Sequence, residues 1–141
     1  MSILISGSRN PKDAFKARLL VSDIVHKLPL GSVVLNGGAS GGIDAYVIHE
    51  FEAHPLGVVH DLQTDWIAPG PERLGTDRVH CVIYRARWKQ DGKAAGILRN
   101  LHMLDLNPEM VICLWNGVSP GTRNVAEEAH RRRLDCVVLE A

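Results

Sequence analysis

The chain has 141 residues, with Lys+Arg and Asp+Glu both at 16, so its formal net charge is zero. That length suits one domain, and a chain of this size can bury about 70% of its unfolded surface. The charge balance argues against a general nucleic-acid coat protein, which needs a basic surface, and no apolar run approaches the ~20 residues that span a bilayer.

The three cysteines, Cys81, Cys113 and Cys136, each lie in an apolar, strand-like run, and no CxxC pair is present. They read as reduced thiols packed like small hydrophobes in a cytoplasmic protein. The N-terminus enters a strand with no cationic leader, so no signal peptide is expected.

Strand and helix signals alternate along the chain. Ile3–Ser6 reads as a short apolar strand, followed by the turn Gly7-Ser8-Arg9. Asn10 is placed to cap the next helix, with Pro11 at its first position. Phe15, Leu19, Leu20, Ile24 and Leu28 recur there at helical spacing. Pro29 and Gly31 end that helix, and Ser32–Asn36 forms the second strand. The turn Gly37-Gly38-Ala39-Ser40-Gly41-Gly42 then opens a helix bearing Ile43, Val47, Ile48 and Phe51.

Residues 54–78 are rich in Pro and Gly and read as a long excursion, with at most a short strand at Val58-Val59 and a turn of helix at Leu62–Ile67. His80–Tyr84 is the third main strand, Lys93–Leu106 a helix and Met110–Leu114 a strand. The turn Pro120-Gly121-Thr122 leads into a helix over Thr122–Leu134, and Cys136–Leu139 closes the count at about five strands. Strands apolar on both faces, separated by helices, predict an α/β, Rossmann-like three-layer sandwich. Its sheet is mostly parallel, with helices on both faces.

All three glycine turns fall at the carboxyl ends of strands, where open parallel sheets bind ligands. A helix N-terminus there offers unpaired N–H groups to an anion. The turn at 37–42 is no dinucleotide fingerprint, because Ala39 stands where GxGxxG needs glycine, and no GxxxxGK[ST] loop exists.

Taken together, Gly7-Ser8-Arg9; Asn36-Gly37-Gly38-Ala39 with Gly41 and Asp44; Trp88 to Gly96; Arg99-Asn100 with Met103; and Gly121-Thr122 resemble the SLOG superfamily, in its small YspA/YpsA-like group. The resemblance covers nearly the whole chain except 54–78, which looks like an insertion in a single domain spanning 1–141. It implies a Rossmann-like fold, a nucleotide or nucleotide-derived ligand, and a homodimer. The ligand-binding residues it implies are Gly7, Ser8, Arg9, Gly37, Gly38, Ala39, Gly41, Asp44, Trp88, Arg99, Asn100, Gly121 and Thr122.

The Lonely Guy phosphoribohydrolases are better-known relatives in that superfamily. Their turn is followed directly by glutamates; here Arg123, Asn124 and Val125 follow, and Glu127 and Glu128 come about one helical turn later, ~5 Å along the axis. Asp44, Arg99 and Glu127 are therefore the candidate catalytic residues of an alternative, hydrolytic reading. A third reading, nucleic-acid binding as in DNA-processing protein A, is disfavoured by the zero net charge.

Among single residues, Arg9 is a candidate bidentate partner for phosphate or carboxylate. Asp44 either caps its helix or bonds a ribose hydroxyl. Thr122 leans toward the ligand, and Ser40 is neutral between ligand and turn. Trp88 is a stacking platform or a packing plug, Trp115 a candidate pocket wall, and Trp66 a candidate lid or subunit contact. The seven histidines match no metal-ligand spacing, so neither metal nor cofactor is expected. The sequence-level expectation is a module that binds a nucleotide-like small molecule, as sensor or sequestering protein. No membrane contact is expected, and a nucleic-acid partner is not favoured.

Overall fold

The computed structural model describes all residues from Met1 to Ala141. Six strands, all parallel, form one sheet in the order β3-β4-β2-β1-β5-β6. They are β1 (Ser2–Gly7), β2 (Val33–Asn36), β3 (Gly57–Asp61), β4 (Val79–Ile83), β5 (Met110–Trp115) and β6 (Cys136–Glu140). The helices are α1 (Ala14–His26), α2 (Ile43–Ala53), α3 (Trp88–Asp91), α4 (Ala95–Asp105) and α5 (Pro120–Arg131). The Rossmann-like α/β sandwich expected from the sequence is present, with six strands instead of five.

The apolar runs of the strands alternate between two cores, as the twofold period of a strand requires. Ile3 and Ile5 of β1 pack with Val21 and Val25 of α1 and with Ile43, Val47 and Phe51 of α2. Leu4, between them, faces Met103 and Leu104 of α4 and Val125 and Ala129 of α5. Burying both faces in this way leaves no polar alternation in the central strands.

The extra strand comes from the stretch read as an excursion. Residues 57–61 pair in register with β4, Val58 beside His80 and His60 beside Val82. Its brevity and edge position kept its signal weak. The segment 62–78 is then the crossover from β3 to β4. Leu62, Trp66 and Leu74 lay it on the same face as α4 and α5, the face a right-handed connection in that direction must take. Pro69, Gly70, Pro71 and Gly75 deny it a helix, and the expected helical turn at 62–67 is absent; only Pro71–Arg73 makes a 3₁₀ turn.

Two further boundaries differ from expectation. α1 is capped by Asp13, whose side chain accepts the Lys16 N–H at 3.1 Å, and not by Asn10. The Asn10 carbonyl instead accepts the Asn116 side-chain amide at 2.8 Å, which holds residues 10–12 as a loop. The helix expected over 93–106 begins as a 3₁₀ turn at Gly92–Ala94 and is α-helical from Ala95.

The chain order reverses direction beside β1, since β2 lies on one side of it and β5 on the other. A crevice opens beyond the carboxyl ends at such a switch point.

Candidate functional site

A cavity of about 560 Å³ fills that crevice. Gly7, Arg9, Gly37, Ala39, Asp44, Trp88, Arg99, Asn100, Gly121 and Thr122 line it, so distant segments of the chain do meet there. Ser8, Gly38 and Gly41 do not line it.

The three turns play different parts. Ser8 is fully buried: its N–H donates to the Leu114 carbonyl (3.1 Å), its carbonyl accepts the Ile43 N–H (3.2 Å), and its hydroxyl accepts the Asn116 N–H (3.0 Å). Gly7 is glycine because a Cβ there would overlap the Ile43 side chain. Gly42, at φ +70°, is glycine because a Cβ there would overlap the Ser8 carbonyl. This corner is glycine-rich so that β1 and α2 can cross closely, not to admit a ligand.

The second turn is also turned inward on the protein. The Gly38 N–H donates to Asn36 Oδ1 at 2.7 Å and the Ala39 N–H to Asp44 Oδ2 at 3.1 Å. Its carbonyls are held from both sides, Gly37 by the Arg99 guanidinium and Gly38 by Arg85 at 3.2 Å. Gly38 faces Ile83 and Arg85, away from the cavity. Of the amides expected to grip phosphate at 7–9 and 37–42, those of Ser8, Gly38 and Ala39 are therefore occupied by the fold itself.

The third turn keeps its amides open. Asn116 Oδ1 accepts the N–H groups of Val118 (3.0 Å) and Ser119 (2.9 Å), which shapes the entry to α5. Pro120 stands at the first helical position and lacks a donor. The N–H groups of Gly121 and Thr122 find no acceptor within the protein, and both residues line the cavity. A Cβ at Gly121 would meet nothing within 4 Å.

Three cations line the cavity: Arg9, Lys93 and Arg99. None forms an ion pair, whereas Arg85, Arg123, Arg131 and Arg132 all bridge to carboxylates elsewhere. Arg99 is held by neutral oxygens only, those of Gly37 and Asn100 (2.9 Å to Asn100 Oδ1). Burial lowers its pKa; Asp44 opposes that shift and Arg9 adds to it. Asp44 is the one carboxylate lining the cavity. Burial pushes its pKa up, countered by the Ala39 N–H and the charges of Arg99 and Arg9. Like charges converging on one hollow with so little anionic balance give it a positive potential.

Trp88, Ile97 and Met103 supply apolar surface to the same lining. Trp88 is 55% exposed, with its ring edge beside Gly96, so it offers a free aromatic face at the rim. Asn10, Lys93, Ile97 and Asn116 line the site but are not among the ligand residues expected from sequence. Only Lys93 carried a signal, lying inside the Trp88–Gly96 motif.

Three expectations fail. Glu127 does not reach the cavity; it pairs with Arg123 at 2.8 Å and borders a smaller hollow beside Cys113 and Val138. Five residues past Thr122 is about 140° around the helix, so it faces another way. Trp115 belongs to that smaller hollow, its Nε1–H donating to the Ser119 carbonyl at 2.9 Å. Trp66 is not a lid. Its indole donates to the Arg85 carbonyl at 2.8 Å and lies between the Arg87 guanidinium (3.7 Å) and the His102 ring (4.6 Å), outside the cavity.

No helix is long and apolar enough to cross a membrane. No family model matches the chain. The fold is similar to that of a Moco carrier protein from Chlamydomonas reinhardtii, with a TM-score of 0.55 and 15% identity over 98% of this chain and 75% of that one. At that identity the likeness is one of fold. In sequence, the chain is 32% identical to the Gene 61 protein of Mycobacterium phage D29 over 129 residues, 92% of this chain and 88% of the relative. The chain therefore belongs to the family of that phage Gene 61 protein.

Proposed function

We propose that the cavity binds a nucleotide or nucleotide-derived anion, and that the protein acts as a sensor or sequestering module for it. The observation that carries this reading is the convergence of Arg9, Lys93 and Arg99, all without carboxylate partners, on a cavity that also receives the open amides of Gly121 and Thr122. A phosphate seated against that helix N-terminus gains its N–H groups and dipole together. Trp88, Ile97 and Met103 supply the apolar wall that a base needs. The SLOG resemblance points to the same ligand class and to a homodimer. The neighbour in fold is named a Moco carrier, which adds Moco to the ligands worth screening.

The test is a thermal-shift and calorimetric screen with nucleoside mono- and diphosphates, ADP-ribose, cyclic nucleotides and Moco. A ligand at 100 times its Kd stabilises the fold by about 2.7 kcal/mol. Absence of any shift across the panel sinks the proposal. The phosphoribohydrolase alternative rests on Asp44 and Arg99, since the glutamates lie elsewhere. Release of free base from AMP, lost in Asp44→Asn, would favour it.

A further inference from the structure

We infer that Asp44 reads hydroxyl groups, so that the cavity takes a phosphorylated ribose with its vicinal hydroxyls in preference to the deoxy form. This deepens the anion-site reading and rests on it.

Asp44 sits in the first turn of α2, only 7% exposed, and lines the cavity. Its position is fixed from two directions. Its backbone carbonyl accepts the Asn36 side-chain amide at 3.1 Å, and its Oδ2 accepts the Ala39 N–H at 3.1 Å. Gly37 leaves room beside it, for a Cβ there would stand 3.1 Å from Oδ2. A carboxylate has about four acceptor positions, and the protein fills one of them. No arginine reaches it within ion-pair distance, though Arg9 and Arg99 both act on its charge.

A ligand entering the cavity strips water from this carboxylate. The loss is severe unless the ligand donates hydrogen bonds in return. A dianionic phosphate has no proton to donate and is repelled. An ammonium would donate, but three cations already crowd the cavity. Neutral hydroxyls remain, and two adjacent ones match two open acceptor positions. Location separates sugar from base. Asp44 lies among the cations that would hold phosphate, while Trp88 and Ile97, 55% and 49% exposed, stand at the rim. The part of a nucleotide next to its phosphate is the sugar.

The experiment compares AMP with 2′,3′-dideoxy-AMP by calorimetry on the full chain, in the wild type, Asp44→Asn and Asp44→Ala. Asn keeps an oxygen for the Ala39 N–H, and circular dichroism with thermal melts reports whether each variant folds. The expected result is AMP bound about 10- to 100-fold more tightly than the dideoxy form by the wild type, with the ratio falling toward one in both variants. Equal binding of the two ligands by the wild type overturns the inference while the anion site stands. Binding of neither fails the anion site and this inference with it. A GMP-over-IMP preference that vanishes in Asp44→Asn assigns the carboxylate to a base edge and likewise overturns it.

Discussion

Replacing Arg9 by glutamine should separate binding from stability. Arg9 makes no hydrogen bond and no ion pair within the protein, and its charge works against that of Arg99. Its removal costs the fold nothing that it donates, so the change in stability should lie within about 0.5 kcal/mol. The lost repulsion toward Arg99 and the lost attraction toward Asp44 act in opposite directions and keep the net change small. For the ligand the balance is different. One charge-assisted hydrogen bond is worth about 1.5–3 kcal/mol, so affinity for a nucleoside phosphate should fall about 10- to 100-fold. Arg99→Gln is the contrasting case, because Arg99 also ties the Gly37 carbonyl and the Asn100 side chain together. That variant should lose both affinity and stability. Calorimetric titration with AMP, run beside urea unfolding, reads both quantities for each protein. If Arg9→Gln unfolds much more easily than the wild type, or binds AMP unchanged, the reasoning about its free charge is wrong.

Gly42→Ala combines a left-handed φ of +70° with overlap on the Ser8 carbonyl, and should cost about 2–5 kcal/mol in denaturant melts. Gly121→Ala meets open space and should stay within about 0.5 kcal/mol; the pair tests which glycines serve packing. His60 donates to or accepts from His80 at 3.0 Å, and burial, His80 and Arg73 hold its pKa below the ordinary 6.5. The unfolded chain therefore takes up the proton first as pH falls, so this stabilisation is complete above about pH 6.5 and is lost on further acidification. Urea unfolding at pH 7.5 and 5.5 should show that loss, reduced in His60→Gln. Part of the slope will remain from His102, shifted the same way by burial and Arg87. Trp66→Ala removes the indole between Arg87 and His102 and should cost about 2–4 kcal/mol. Trp66→Phe should recover most of it, and thermal melts of both variants decide.

The sheet, its helices and the place of the cavity could be read from apolar runs and glycine turns. The use of each glycine could not. Glycine in a sequence says that space is wanted, not what fills it. At Gly7 the space goes to Ile43, at Gly42 to Ser8, at Gly37 to Arg99, while at Gly41 and Gly121 it is left open. Asn36 and Asp44 show the same limit, since their side chains satisfy turn amides that looked free for a ligand. Glu127 fell out of the site on helical phase, which spacing alone predicts once the inward face is known from Val125 and Ala129. β3 showed only as a short strand at Val58-Val59, because an edge strand of five residues between Pro- and Gly-rich segments has little pattern to show. Asn116 gave no warning at all, for an Asn before Gly in a loop is ordinary until its carbonyl is seen collecting two amides.

The crossover from β3 to β4 touches the sheet through Leu62, Trp66 and Leu74 and contributes nothing to the wall of the cavity. Its outer bend, around Ile67 at 76% exposure, is thus a place where extra sequence can be spliced in without disturbing recognition. A fluorescent reporter or affinity tag inserted there would leave the ligand's surroundings intact.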